Sequence, residues 1–168
     1  MKKLLIALLA LSSLLLAACS TSYTSKSKIL TSPSSKKFND ARTWTALKGK
    51  WYGKQKRVDG QVREWLIEHK ADGTFLTTFI DIDKDGKKKT TIEYGDWGAS
   101  GTVYFTILKG FIKEGEEEPI AEPEYWTRDA YEIIRLNLDE FIYRDLEKQM
   151  RFRVIREVSD FELNTPSR

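Results

Sequence analysis

Between residues 49 and 157 the chain is cut into short runs by turn residues at near-regular intervals, and this punctuation constrains the fold most. Asp59-Gly60, Asp72-Gly73, Asp85-Gly86 and Ser100-Gly101 each separate two runs rich in β-branched and aromatic residues. Asp-Gly between such runs is a strong hairpin signal, because both positions tolerate positive φ. Strands are predicted over Trp51–Val58, Val62–Lys70, Thr74–Asp81, Lys89–Trp97, Thr102–Gly110, Ala130–Leu138, Phe141–Arg144 and Met150–Glu157. About eight strands joined in sequence make an all-β, antiparallel meander. Such a meander closes into an up-and-down barrel, which removes its edges, or remains a strongly curved sheet.

Alternation assigns the faces. Met150, Phe152 and Val154 share one side of the last strand, opposite Arg151 and Arg153. Trp65 and Ile67 alternate with Glu64, Leu66 and Glu68. The stretches 102–108 and 131–138 are apolar on both faces, so an outward face needs a cover: a helix, a loop or a partner. A short helix is predicted over Asn39–Lys48, with Asn39 or Asp40 as its cap and Gly49 as its stop.

The region before residue 39 has a different texture. Lys2 and Lys3 precede an apolar run from Leu4 to Leu16, too short for a membrane span of about 20 residues. Leu16-Ala17-Ala18-Cys19 follows, and Cys19 is the sole cysteine. This order resembles the lipobox of bacterial lipoproteins. The resemblance implies a signal peptide over 1–18, cleavage before Cys19, and a diacylglyceryl group on its thiol with acylation, as by palmitate, of the new amine. Several acyl chains anchor a protein firmly where one does not. Ser20, rather than Asp, implies the outer membrane, with the protein on its periplasmic face. Residues 19–38 then form a basic tether, rich in Ser, Thr and Lys, with too little apolar surface to fold. The domain proper is 39–168.

At the start of the first strand, Gly49-Lys50-Trp51 follows the helix. A Gly-x-Trp after a short helix, leading into eight strands, resembles the lipocalins and the compact lipocalin-like domains of bacterial lipoproteins. The resemblance implies that Trp51 closes one end of the barrel under a basic residue from a late strand, with Arg151, Arg153 and Arg156 as the candidates.

The composition restricts the chemistry. One Cys and one His exclude an intramolecular disulfide, a Cys-based zinc cluster and a multi-His metal site. A net charge of +3 is too weak for a nucleic-acid partner. The sequence calls for no cofactor, no metal and no catalytic residue. Asp81, Asp83 and Asp85 with Gly86 mimic the start of a calcium loop, but position twelve is Ile92 rather than Glu. A hairpin turn accounts for them. His69 is expected at the surface or rim. Glu114, Glu116, Glu117, Glu118, Glu122 and Glu124 crowd one stretch with Pro119 and Pro123, read as an extended, exposed loop.

Two functions follow from this reading, neither enzymatic. In the first, the barrel holds a small apolar or amphipathic ligand lined by Trp65, Phe105, Tyr131, Phe141 and Tyr143, a set that otherwise simply fills the interior. In the second, the acidic loop at Glu116, Glu117 and Glu118, or the outer apolar strands, docks an envelope protein. In both, Cys19 ties the chain to the membrane.

Overall fold

A computed structural model describes residues 40–122 and 124–163. The expected signal peptide (1–18), Cys19 and the expected tether (19–38) lie outside them.

One helix, α1 (Asp40–Leu47), precedes nine strands: β1 (Gly49–Lys56), β2 (Val62–His69), β3 (Thr74–Ile82), β4 (Lys88–Ser100), β5 (Val103–Lys113), β6 (Glu116–Pro119), β7 (Arg128–Leu136), β8 (Glu140–Asp145) and β9 (Arg151–Glu157). A 3₁₀ turn, Tyr125–Thr127, leads into β7. All pairings are antiparallel, and their order runs β4-β3-β2-β1-β9-β8-β7-β5 with β4 also paired to β5. Eight strands therefore close on themselves in the expected up-and-down barrel.

The ninth strand corrects the sequence reading. β5 runs on past Gly110 to Lys113, and Glu116–Pro119 folds back on it as β6. The turn places Glu114 at φ 54° and Gly115 at φ 88°. Two consecutive positive φ values match the strand twist of a tight hairpin. The acidic segment thus begins as a hairpin, not a loop.

The Asp-Gly turns also differ from expectation. Gly60, Gly73 and Gly86 take positive φ while the Asp before each does not. The turn carboxylates act as local acceptors instead. Asp59 accepts the Gln61 amide, Asp72 that of Thr74, and Asp83 those of Asp85 and Lys87. Asp83 therefore serves the β3–β4 turn.

Strand register sorts the faces. Trp51 pairs with Ile67 and Gly53 with Trp65 across β1–β2, Trp65 with Phe79 across β2–β3, and Tyr104 with Tyr131 across β5–β7. These residues point inward, their sequence neighbours outward. Two glycines give the rings room. A Cβ on Gly53 would lie 2.2 Å from the Trp65 ring, and one on Gly98 would lie 2.3 Å from Phe105.

The core is largely aromatic. Trp51 meets Phe141 edge-on at 5.8 Å, Phe141 stacks on Tyr143 at 4.6 Å, and Tyr143 on Phe152 at 5.1 Å. Tyr104 stacks on Tyr131 at 5.3 Å. Such ring pairs add about 0.5–1.5 kcal/mol each beyond the area they bury.

Helix α1 caps one end of the barrel. Trp44 stacks flat on Trp97 at 4.1 Å, and Leu47 is fully buried one turn later. On the outer faces, Ile134 of β7 is 41% exposed, while Phe105 of β5 is partly shielded over Gly98.

Candidate functional site

The two ends of the barrel differ in chemistry. At the closed end the last carbonyls of α1, which have no partner inside the helix, are taken up by barrel side chains. The Leu47 carbonyl accepts from Trp51 Nε1 at 2.7 Å and from His69 Nδ1 at 2.9 Å. Arg156 lies over the Trp51 ring, 4.1 Å from its centroid. Its guanidinium donates to the carbonyls of Ala46, Lys48 and Leu138. Of the three candidate arginines, Arg156 is therefore the one on Trp51; Arg151 and the Glu140-paired Arg153 are exposed.

His69 is not a rim residue. It is 2% exposed, tilted against Trp97 at 4.5 Å. The Leu47 carbonyl can only accept, so Nδ1 carries the proton and Nε2 accepts from the Tyr104 hydroxyl at 2.8 Å. Burial pushes the imidazole pKa down to about 4 and the Tyr104 phenol well above its usual value. Turn and strand residues around Lys70 lock this end further, since Trp97 Nε1 donates to the Lys70 carbonyl at 3.1 Å.

The open end carries the polar residues. Inward positions continue from Trp65 to Arg63 on β2, from Phe79 to Asp81 on β3, from Gly95 to Glu93 on β4, and from Tyr131 to Asp129 on β7. Arg63 grips Asp81 through two bonds of 2.7 Å and lies over the Phe79 ring at 4.9 Å. Burial raises the Glu93 pKa, Arg63 lowers it and Asp129 raises it again. Strand register, not contact, is what puts Arg63, Glu93 and Asp129 on inward positions of the same barrel. Burial likewise raises Asp129, against the pull of Lys148 at 3.9 Å. Beneath these groups lie Trp65, Tyr131, Tyr143 and Phe152, with Trp65 edge-on to Phe152 at 6.1 Å.

One carboxylate in this half has no counterpart. Glu93 makes no hydrogen bond or ion pair among the described residues. Directly across the β3–β4 pairing lies Thr77, only 5% exposed, while the buried side-chain atoms without a hydrogen-bond partner among the described residues are Thr43 Oγ1 and Arg144 Nε.

Of the predicted lining residues, Trp65, Tyr131, Phe141 and Tyr143 come together inside the barrel. Phe141, fully buried, belongs to the packed lower half beside Trp51. Phe105 stands apart, because its strand neighbours Tyr104 and Thr106 take the inward positions. Glu116, Glu117 and Glu118 are exposed on β6; Glu118 pairs with Lys113. Cys19 lies outside the described residues. Sequence reasoning missed Thr77, Glu93, Arg63, Asp81 and Asp129 as a set. Counting back in twos from Trp97 reaches Gly95 and then Glu93, but Ile92 and Tyr94 look like the buried face.

An open depression of about 720 Å³ lies at the closed end, lined by Ala41, Arg42, Thr45, Ala46, Leu138 and Arg156. Its Arg156 is already committed to Trp51 and three carbonyls.

The sequence matches no protein-family model and no curated protein sequence. Among solved structures, this chain is similar to a lipocalin-like protein from Bacteroides uniformis, at 17% identity and a TM-score of 0.39, covering 67% of this chain and 99% of that one. The barrel itself is established here by its strand order and register.

Proposed function

We propose that this protein is a lipid-anchored envelope protein whose barrel binds a small amphipathic ligand in its open half. The supporting observation is Glu93, a half-buried carboxylate on an inward register position that makes no hydrogen bond or ion pair among the described residues, set across from Thr77. Holding a carboxylate partly out of water without a partner costs roughly 1–3 kcal/mol and is uncommon in a core selected for stability alone. A ligand with a polar head supplies the missing partners, and its apolar part meets Phe79, Phe152 and Tyr131. No step in this reading is catalytic. Cys19 and the lipobox-like segment before it support the anchor, and Ser20 supports the outer membrane.

Two measurements test the ligand reading. Native mass spectrometry of the full chain, against a denatured control, is expected to show a discrete mass lost on denaturation. Thr77→Val, nearly isosteric, is expected to lower that occupancy while raising the unfolding free energy of the empty protein by up to about 1 kcal/mol. A destabilised Thr77→Val with full occupancy would make Thr77 a structural residue and count against the ligand reading.

A second reading keeps the acidic hairpin as a docking element. It is favoured by Glu116 and Glu117, which project from β6 exposed and without an ion pair among the described residues. Reversing Glu116, Glu117 and Glu118 to Lys breaks partner association under this reading and leaves ligand occupancy intact.

A further inference from the structure

We propose that the rim of the open end docks on an anionic lipid surface, through apolar turn tips set among unpaired lysines. This goes beyond the ligand reading and stands whether or not the lumen is filled. Three turns join strand pairs at that end: 57–61 between β1 and β2, 83–87 between β3 and β4, and 146–150 between β8 and β9. Strand order makes them neighbours around the mouth, because β3 lies beside β2 and β9 beside β1. Lys84 of the β3–β4 turn packs near Gly60 of the β1–β2 turn, 3.6 Å from where a Cβ there would stand. Val58 is fully exposed on the first of the three, and Leu146 and Met150 are exposed on the last. Next to them, on the 3₁₀ turn that leads into β7, Tyr125 and Trp126 are exposed as well. Single exposed apolar side chains are ordinary. Five of them on adjoining turns of one rim form a surface of the kind that meets a partner.

Charge decides the chemistry of that partner. The β3–β4 turn and the first residues of β4 carry Lys84, Lys87, Lys88 and Lys89 against Asp83 and Asp85. Lys56 and Arg57 stand against Asp59 around the first turn, and Lys148 and Arg151 against Glu147 around the last. Arg57 reaches Asp81 at 4.0 Å, and Lys148 is divided between Asp129 and Asp145. The other six cations are exposed and make no ion pair among the described residues. Anionic headgroups would pair with this excess while the apolar tips enter the headgroup boundary, where Trp and Tyr rings are also favoured. The acidic β5–β6 hairpin shares this end but not this side. In the closed order β5 stands four strands from β1 in either direction, so the hairpin lies across the mouth from Val58. The cationic turns can thus meet a flat surface while Glu114, Glu116 and Glu117 tilt away from it.

Fluorescence of the full chain tests this, with Cys19→Ser in every sample so that no acyl chain contributes. Val58→Cys, Met150→Cys and Glu116→Cys each carry an environment-sensitive nitrobenzoxadiazole label. All three sites are exposed, so the label reads contact rather than folding. Vesicles of phosphatidylcholine, alone or mixed with phosphatidylglycerol, are titrated in. The labels at Val58 and Met150 are expected to shift to the blue with the mixed vesicles only, while the label at Glu116 keeps its spectrum in water. Joint reversal of Lys84, Lys87 and Lys88 to Glu is expected to raise the lipid needed for half the shift by about tenfold or more. A shift at Glu116 as large as at Val58, or a titration indifferent to the three reversals, assigns the contact to another part of the chain and overturns the proposal. An equal response to neutral vesicles removes the charge complementarity on which it rests. No response to either vesicle overturns the lipid surface as the partner of this rim.

Discussion

At the scale of single residues, His69 and Arg156 hold the closed end by opposite means. His69 is a buried neutral group whose two ring nitrogens are both satisfied. Its folded pKa, about 4, lies below the usual value near 6.5. An unfolded chain therefore takes up a proton that the fold refuses. The stability owed to this site is complete above about pH 6.5 and declines as pH falls toward 4. The decline is about 1.4 kcal/mol per pH unit, roughly 3 kcal/mol in all. Urea unfolding at pH 7 and pH 5 is expected to show it, and His69→Phe to flatten that difference. Equal slopes for both proteins would mean that other groups carry the acid sensitivity. Arg156 joins β9 to α1 and to the β7–β8 turn through three carbonyls and the Trp51 ring. Arg156→Lys keeps the charge but loses the planar fork. It is expected to cost about 2–4 kcal/mol by denaturant unfolding, nearly as much as Arg156→Ala.

At the scale of elements, α1 and the β5–β6 hairpin are both appendages to the barrel, with different stakes. Helix α1 buries Leu47 and Trp44 on the barrel end, and its terminal carbonyls are the acceptors for Trp51, His69 and Arg156. Losing it would leave the buried Trp51 and His69 donors without their Leu47 acceptor and take the Ala46 carbonyl from Arg156, which keeps Leu138. The hairpin, by contrast, puts four exposed residues on β6. Gly115→Val, which strains a φ of 88°, is expected to fray β6 and speed amide exchange there. The global unfolding free energy is expected to move by less than about 0.5 kcal/mol, as for surface changes generally. A larger loss would show that β6 holds the barrel shut.

At the scale of the whole molecule, the barrel and the segment before it answer separate questions. Cys19→Ser is expected to move the protein from the membrane to the soluble fraction while its near-ultraviolet circular dichroism, which reports the packed rings, stays the same. A variant that stays with the membrane would place the attachment elsewhere. Turn residues, alternation and Gly-x-Trp were enough to read an eight-stranded barrel with a helix before it. These are local signals: a turn pair, a two-residue period and a helix stop each act within a few residues. They also brought Trp65, Tyr131, Phe141 and Tyr143 to the interior and Trp51 to the closed end. Phe105 went the other way because β5 alternates from Tyr104. His69 went inward because Leu47 and Tyr104, remote in sequence, supply its two partners. The choice of Arg156 among three arginines needed the register of β9 against β1, which sets Arg156 beside Trp51. Glu93, Thr77, Arg63 and Asp129 came together only when four strands were wrapped around one axis. Period and punctuation settle which residues share a face, but closure decides which faces look at one another. Closure is what sets the half-buried Glu93 inside the barrel.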